Sequence, residues 1–389
     1  MEVLRRLFYF FTPYTDANER AVGHFFKRLS EHKNQSRTRA KLLRLVQEDI
    51  AAINLWSEYR YKGYKYLRKS QRRKLYANLQ HIAEDFDDFY TRSSRTPPTA
   101  ADRIKRLAPQ AVIEPKRAVL IHALMDYFST QRGIYQYRDS SSFGRLLRDP
   151  THEKLVGDCN QIVTLYIYLY SCYFDVSDLK LRVTPGHVAL HYGGIDIETT
   201  RGAFARYNKE KGNALLPIEE IVSINLLDAT DSYLSTHEVS PKDILQSSRM
   251  AYILSHDRSI VTNNLHSAYG RLINSLVERH DYSTARRYAK DAPQRKEMVK
   301  NIWQSEAVYW YKSHHYHEAA KAFKHSGDHD MVRHCYEALF FVEQKKLGHN
   351  LTSEIVGQYA GVIKHMRGYA KKSGNKKLIK HADQLYKYL

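Results

Sequence analysis

The chain has 389 residues, with 61 Lys and Arg against 42 Asp and Glu, a net charge of +19. Hydrophobic residues make up 43% and charged residues 26%, a globular balance that excludes a disordered chain and predicts more than one core. The positive excess suits acidic partners such as nucleic acid, anionic lipid or an acidic protein surface. The three cysteines, Cys159, Cys172 and Cys335, are odd in number and lack CxxC spacing, which excludes a disulfide framework and a structural zinc site.

At the N-terminus the apolar run from Leu7 to Phe11 is shorter than a signal core, and Pro13 and Asp16 follow at once. No stretch of transmembrane length occurs, so the expectation is a cytoplasmic protein with free thiols. Residues 17–90 read as helix, with one stripe at Leu42, Leu43, Val46, Ile50, Ile53 and Trp56 and another at Leu75, Leu79, Ile82, Phe86 and Phe89. Between them lies YRYKGYKYLRK, whose interleaved Tyr and Lys/Arg suit stacking on bases or, equally, an amphipathic surface with lysine stems over apolar groups. No RNP, zinc-finger or helix-turn-helix pattern accompanies it, so nucleic-acid binding is a minor expectation. About 23 basic and about 12 acidic residues precede Gln110, making residues 1–95 a basic helical region. TRSSRTPPTAADR, residues 91–103, reads as a linker.

A helix is predicted from Ala118 to Thr130, then a Gly- and Ser-bearing loop. The segment GDCNQ follows, with Cys159 heading a run, Asn160 to Phe174, that is apolar nearly all round and so predicts a buried central helix. Cys172 and Cys335 have no motif around them and read as core. Leu179–Val183, His187–Tyr192 and Ile195–Thr199 alternate as strands, the last two joined at Gly193-Gly194. The C-terminal third is helical, and HDYSTARRYAKDA from His280 matches HHYHEAAKAFKHS from His314 at an offset of 34 residues. That is the tetratricopeptide (TPR) period, with small residues where helices cross closely.

A thiol at a helix N-terminus is favoured as thiolate by the amide dipoles, and it needs a base and a group that orients the base. His187 opens a strand after Pro185-Gly186. Asp196 and Glu198, two apart on the returning strand, share a face, and either can stand beside the imidazole. Asp158 before the thiol would raise its pKa unless it turns away as an N-cap. A metal reading from His187 and His191 with Asp196 or Glu198 fails on distance, since strand residues four apart are separated by about 13 Å.

GDC at a helix start, Pro185-Gly186-His187 opening a strand and an acid-x-Thr ending the next resemble the transglutaminase-like superfamily of papain-like cysteine enzymes. From Ala118 to Gly202 the chain is similar to bacterial transglutaminase-like proteins that carry TPR units behind the core, with SSFGRLLRD, residues 141–149, in the slot before the cysteine. The resemblance implies Cys159 as nucleophile and His187 as general base. The family's acid usually sits in Asp-Pro-Thr. Here the slot reads Glu198-Thr199-Thr200, so Glu198 is set slightly ahead of Asp196. The Cys159 backbone N–H would serve as oxyanion donor.

The expected architecture is α+β: a basic helical region over 1–95, a papain/transglutaminase-like core over 105–235 with a helix on an antiparallel sheet, and a TPR-like helical domain over 240–389. The expected activity is acyl transfer or hydrolysis at protein or peptide amides, with hydrolysis favoured, no cofactor and a protein partner on the tail. The competing reading is a scaffold with a degenerate core, binding protein or nucleic acid through its basic and TPR-like surfaces.

Overall fold

Asp16 accepts from the Glu19 backbone N–H at 3.0 Å and starts the first labelled helix, α1 (Ala17–Lys27). A computed structural model describes residues 8–31, 34–92, 96–207, 212–228, 239–347 and 356–389, without the side chain of Ile260. Helix α2 (Gln35–Arg60) is interrupted at Asp49, whose backbone is extended and whose carboxylate caps the Ala52 N–H at 2.8 Å. Asp49 thus restarts the helix, and Ile50 to Glu58 is buried on every side. In α3 (Lys69–Thr91) Leu75, Leu79, Ile82 and Phe86 form the buried stripe that the periodicity predicts. The buried Arg72 of α3 ties it back to α1: its guanidinium meets Glu19 at 2.7 and 3.0 Å and the carbonyls of Leu67 and Pro13.

Between α2 and α3, Tyr61, Tyr64 and Leu67 are buried. The tyrosines of YRYKGYKYLRK are therefore taken up largely by packing. The stretch read as a linker turns into helix α4 (Pro97–Leu107) with Ala100, Ala101 and Ile104 buried. Two prolines look like loop chemistry, but proline is well suited to a first helical turn, where its missing N–H costs nothing. Helix α5 (Pro115–Tyr127) starts on the Glu114 carboxylate. Then come β1 (Tyr135–Tyr137), the short α6 (Phe143–Leu146), β2 (Leu155–Gly157) and α7 (Cys159–Ser171). Strands β1 and β2 pair in parallel, a small sheet the sequence reading did not include.

The main sheet contains β3 (Lys180–Thr184), β4 (His187–Tyr192), β5 (Ile195–Glu198), β6 (Ala203–Ala205) and β7 (Ala214–Pro217), all antiparallel in the order β6-β5-β4-β3-β7. Gly193 and Gly194 both take positive φ, 56° and 90°, the mirror-image turn that fits a two-residue hairpin. Helices α8 (Glu220–Leu227), α9 (Pro241–Leu254) and α10 (Arg258–Glu278) follow. The fold is α+β.

Two compact units divide the chain, residues 1–265 and 266–389, where three segments were expected. One continuous apolar core joins α1–α5, α7 and the sheet, so the N-terminal helices are structural parts of the first unit. The expected boundaries at 95 and 235 fall outside the described residues.

The second unit continues through α11 (Tyr282–Ala289), α12 (Arg295–Lys312), α13 (Tyr316–Ser326), α14 (His329–Gln344), α15 (Ala360–Ser373) and α16 (Lys376–Tyr386), each packed on the next. The 34-residue offset recurs in the backbone. His280 and His314 both take left-handed φ, 59° and 61°, at the end of a helix. In each turn the next N–H reaches five residues back, Asp281 to the Leu276 carbonyl and His315 to that of Trp310, both at 2.9 Å. Each histidine ring also meets a tyrosine hydroxyl two residues on, Tyr282 or Tyr316. Ala285, Ala319, Ala289 and Phe323 occupy matching buried positions. Among the described residues no helix is long and apolar enough to cross a membrane.

Candidate active site

Strand β2 delivers the chain to the thiol. Tyr137 stands opposite Gly157 in the β1–β2 ladder, and the Tyr135 hydroxyl donates to the Gly157 carbonyl at 2.8 Å. A side chain at Gly157 would meet Gln161 Oε1 at 2.9 Å and Leu146 Cδ1 at 3.2 Å, and so would press on the capping amide. Asp158 caps α7 by accepting the N–H groups of Asn160 and Gln161, while Gln161 Oε1 accepts the Asp158 N–H. This reciprocal box fixes Cys159 as the first helical residue. Asp158 has its carboxylate occupied as the N-cap. Burial and the neighbouring Asp228 carboxylate push its pKa up.

The loop before α6 is held from the N-terminal helices. Glu58 accepts from the backbone N–H groups of Phe143 and Gly144 and from the Ser142 hydroxyl. Lys62 Nζ and the Tyr64 hydroxyl donate to the Ser141 carbonyl at 2.6 and 2.9 Å. Gln161 Nε2 donates to the Ser140 carbonyl at 2.6 Å, tying the same loop to the cysteine helix. Glu58 and Lys62 were missed by sequence reasoning. Their signal is a carboxylate near the end of a largely apolar helical run and a lysine four residues on.

His187 leaves the Pro185-Gly186 turn at the head of β4, with Gly186 at φ 73°. Its Nε2 lies 2.8 Å from Glu198 Oε2, and the Cys159 thiol, whose sulfur meets Asn160 Oδ1 at 3.8 Å, stands close enough to act on the ring. The neighbouring Cys159 first and the bond to Glu198 second push the imidazole up to about 10. Burial acts to raise the Glu198 carboxyl. The bonds from His187, Thr200 and Tyr207 outweigh it and bring the pKa down to about 2. The Thr200 hydroxyl and N–H serve Oε1, and the Tyr207 hydroxyl donates to Oε2. Nothing in the sequence pattern singled out Tyr207, which comes from beyond β6.

Register explains how a glutamate reaches the ring. His191 pairs with Asp196 and Leu190 with Ile197. One step on, Glu198 falls beside Ala189, and that small buried side chain leaves the carboxylate free to reach diagonally to His187. Asp196 is committed elsewhere. It accepts from Arg182 Nε at 3.0 Å, His191 Nδ1 at 2.7 Å and the Tyr207 N–H at 3.1 Å. The structure thus gathers Cys159, His187 and Glu198 and sets Asp196 with the neighbouring histidine.

The other cysteines differ. Cys335 is fully buried, and burial raises its thiol to about 11. Cys172, expected in the core, is exposed because it caps the end of α7. Its sulfur packs against the Tyr168 carbonyl, and desolvation, with Asp49 and Asp87, still raises its pKa.

No protein-family model matches the chain, and no curated protein matches its sequence.

Proposed function

We propose that this chain is a cysteine acyl-transfer enzyme of the transglutaminase-like kind, acting on protein or peptide amides. One observation carries the reading: a single imidazole bonds the Glu198 carboxylate at 2.8 Å and stands close enough to the Cys159 thiol to be acted on by it. The thiol proton passes to His187, and the thiolate adds to the amide carbonyl carbon. The imidazolium then protonates the leaving amine as the C–N bond breaks, which leaves a thioester on Cys159 and neutral His187. Water, deprotonated by His187, attacks the thioester. The acid is released and the proton returns to sulfur. An amine in place of water completes a transfer. Glu198 holds the ring and balances the imidazolium charge. The N–H groups of Asn160 and Gln161 are taken by Asp158, while the Cys159 N–H is left to receive the developing oxyanion. We read the second unit as TPR-like on the strength of its 34-residue backbone repeat, a stack suited to docking a protein partner.

Competitive labelling with iodoacetamide near neutral pH tests the reading. Cys159 should alkylate faster than Cys172 and Cys335, and His187→Ala should abolish the difference. Alkylation of Cys159 no faster than Cys172 would overturn it.

A second reading, a binding protein without chemistry, is favoured by the charge of α15 and α16. Lys364, Lys371, Lys376, Lys380 and Lys387 are exposed, while Asp383, the one acidic side chain in 356–389, bonds Arg367 at 2.6 Å. Salt-sensitive nucleic-acid binding that survives Cys159→Ala, together with an unreactive Cys159, would favour it.

A further inference from the structure

The polar face of the sheet does not end at Glu198. A cleft of about 1070 Å³ opens at the far end of β4, between the 107–114 connection and the β4–β5 turn. The wall is pressed onto the turn: a side chain at Gly193 would collide with Ile113 Cδ1 at 2.1 Å. Lys180, His191 and Asp196 cross the sheet in one row of paired residues. Tyr207 lines the same cleft and bonds Glu198, so cleft and triad are neighbours on one surface.

Four Lys or Arg and three carboxylates line the cleft, and the acids are already engaged. Asp178 holds Arg117 at 2.6 Å, and Asp196 holds Arg182 and His191. Glu114 accepts the N–H groups of Lys116 and Arg117 at the start of α5. Lys180 and Arg206 remain, both exposed and neither in an ion pair among the described residues. Two uncommitted cations on long stems, beside acids that cannot turn to them without leaving a partner, make an anion site.

We propose that this cleft binds a carboxylate of the substrate, held by Lys180 and Arg206, a few residues along the chain from the carbonyl that Cys159 attacks. His187 and His191 are four residues apart on one strand, about 13 Å, which an extended peptide spans in about four residues. The proposal rests on the acyl-transfer reading for its word "substrate", and binding tests it separately from chemistry.

The test uses the full chain carrying Cys159→Ala, titrated calorimetrically at low salt. The probes are acetyl-Ala-Ala-Glu-Glu-amide and its neutral counterpart, acetyl-Ala-Ala-Gln-Gln-amide. The acidic peptide should bind at least about tenfold more tightly, as charge-assisted contacts require, and the added variant pair Lys180→Ala/Arg206→Ala should erase the preference. Both side chains are exposed, so an unchanged urea midpoint is expected and shows that the fold is intact. Equal binding of the two peptides, or a preference that survives the double variant, would overturn the site. Displacement by inorganic phosphate as readily as by free glutamate would also sink it, showing an anion site without choice of carboxylate. Iodoacetamide labelling of the parent chain reports on Cys159 alone. A reactive thiol with no peptide preference removes the cleft and keeps the enzyme. An inert thiol with the preference intact removes the catalytic reading and leaves a peptide-binding cleft.

Discussion

Asp196 and Glu198 share a strand and a face, yet they meet different partners because each lies beside a different residue of β4. The sequence brought both to the right surface, since alternation is a local rule. It could not choose between them, because the choice depends on register and on Ala189 being small enough to admit a diagonal reach. Substitution should separate the two. Glu198→Gln keeps a hydrogen-bonding group but loses the charge that balances the imidazolium, so Cys159 alkylation at neutral pH should slow by at least about tenfold. Asp196→Asn should leave that rate nearly unchanged and lower the urea-derived stability by about 1–3 kcal/mol, since Arg182 and His191 lose a charged acceptor. A slowing in Asp196→Asn as large as in Glu198→Gln would contradict the geometry. Tyr207→Phe acts on the same carboxylate from behind. It removes a donor to Glu198 Oε2, so the carboxyl should rise from about 2, and the acid limb of Cys159 reactivity should move to higher pH. An acid limb that stays in place would show that Tyr207 does not bear on the triad.

Helix α7 shows what local pattern can and cannot tell. Its apolar run and its Asp-x-x-Gln box mark a capped, buried helix, and Asp158 to Gln161 takes that form. The pressure on its start comes from distant segments. Asp228 accepts from Gln161 Nε2 at 3.3 Å, and Lys62 lies close enough to act on both Asp158 and Asp228. No spacing rule connects residues 62, 158 and 228. For the same reason the N-terminal helices read as a separate basic region: helical stripes announce burial without naming the surface they bury against. The proline-started α4 was lost to a composition rule. Burial, and then the Asp228 charge, raise the Asp158 carboxyl, so the folded chain holds a proton the unfolded chain releases. Such a group contributes its full stability below the ordinary carboxylate range and loses it as pH rises through the folded value. Asp228→Asn removes the like charge and should flatten that loss, raising the urea midpoint more at about pH 8 than at about pH 5. The same gain at both pH values would mean that the two carboxylates do not feel one another.

At the scale of the whole chain, the net charge of +19 complicates any acid titration, because protonating carboxylates increases self-repulsion as the pH falls. Raising the pH lowers that charge, so an alkaline loss of stability cannot be assigned to growing positive repulsion. The triad makes a prediction on each side. Glu198, lowered from 4.5 to about 2, stabilises the fold above its ordinary value and loses that contribution as the pH falls from about 4.5 to 2. His187, raised from 6.5 to about 10, contributes fully below 6.5 and loses its contribution as the pH rises toward 10 and beyond. The two windows leave a plateau between them, where His187 stays bonded to Glu198 beside Cys159. Comparing the parent with His187→Gln cancels the repulsion common to both chains. The gap in unfolding free energy, read from urea melts, should be widest near pH 6 and should narrow steadily toward about pH 10. A gap that stays constant across that range would mean the imidazole holds no extra proton in the fold, and the arrangement of His187 on Glu198 beside Cys159 could not then be that of the folded protein in solution.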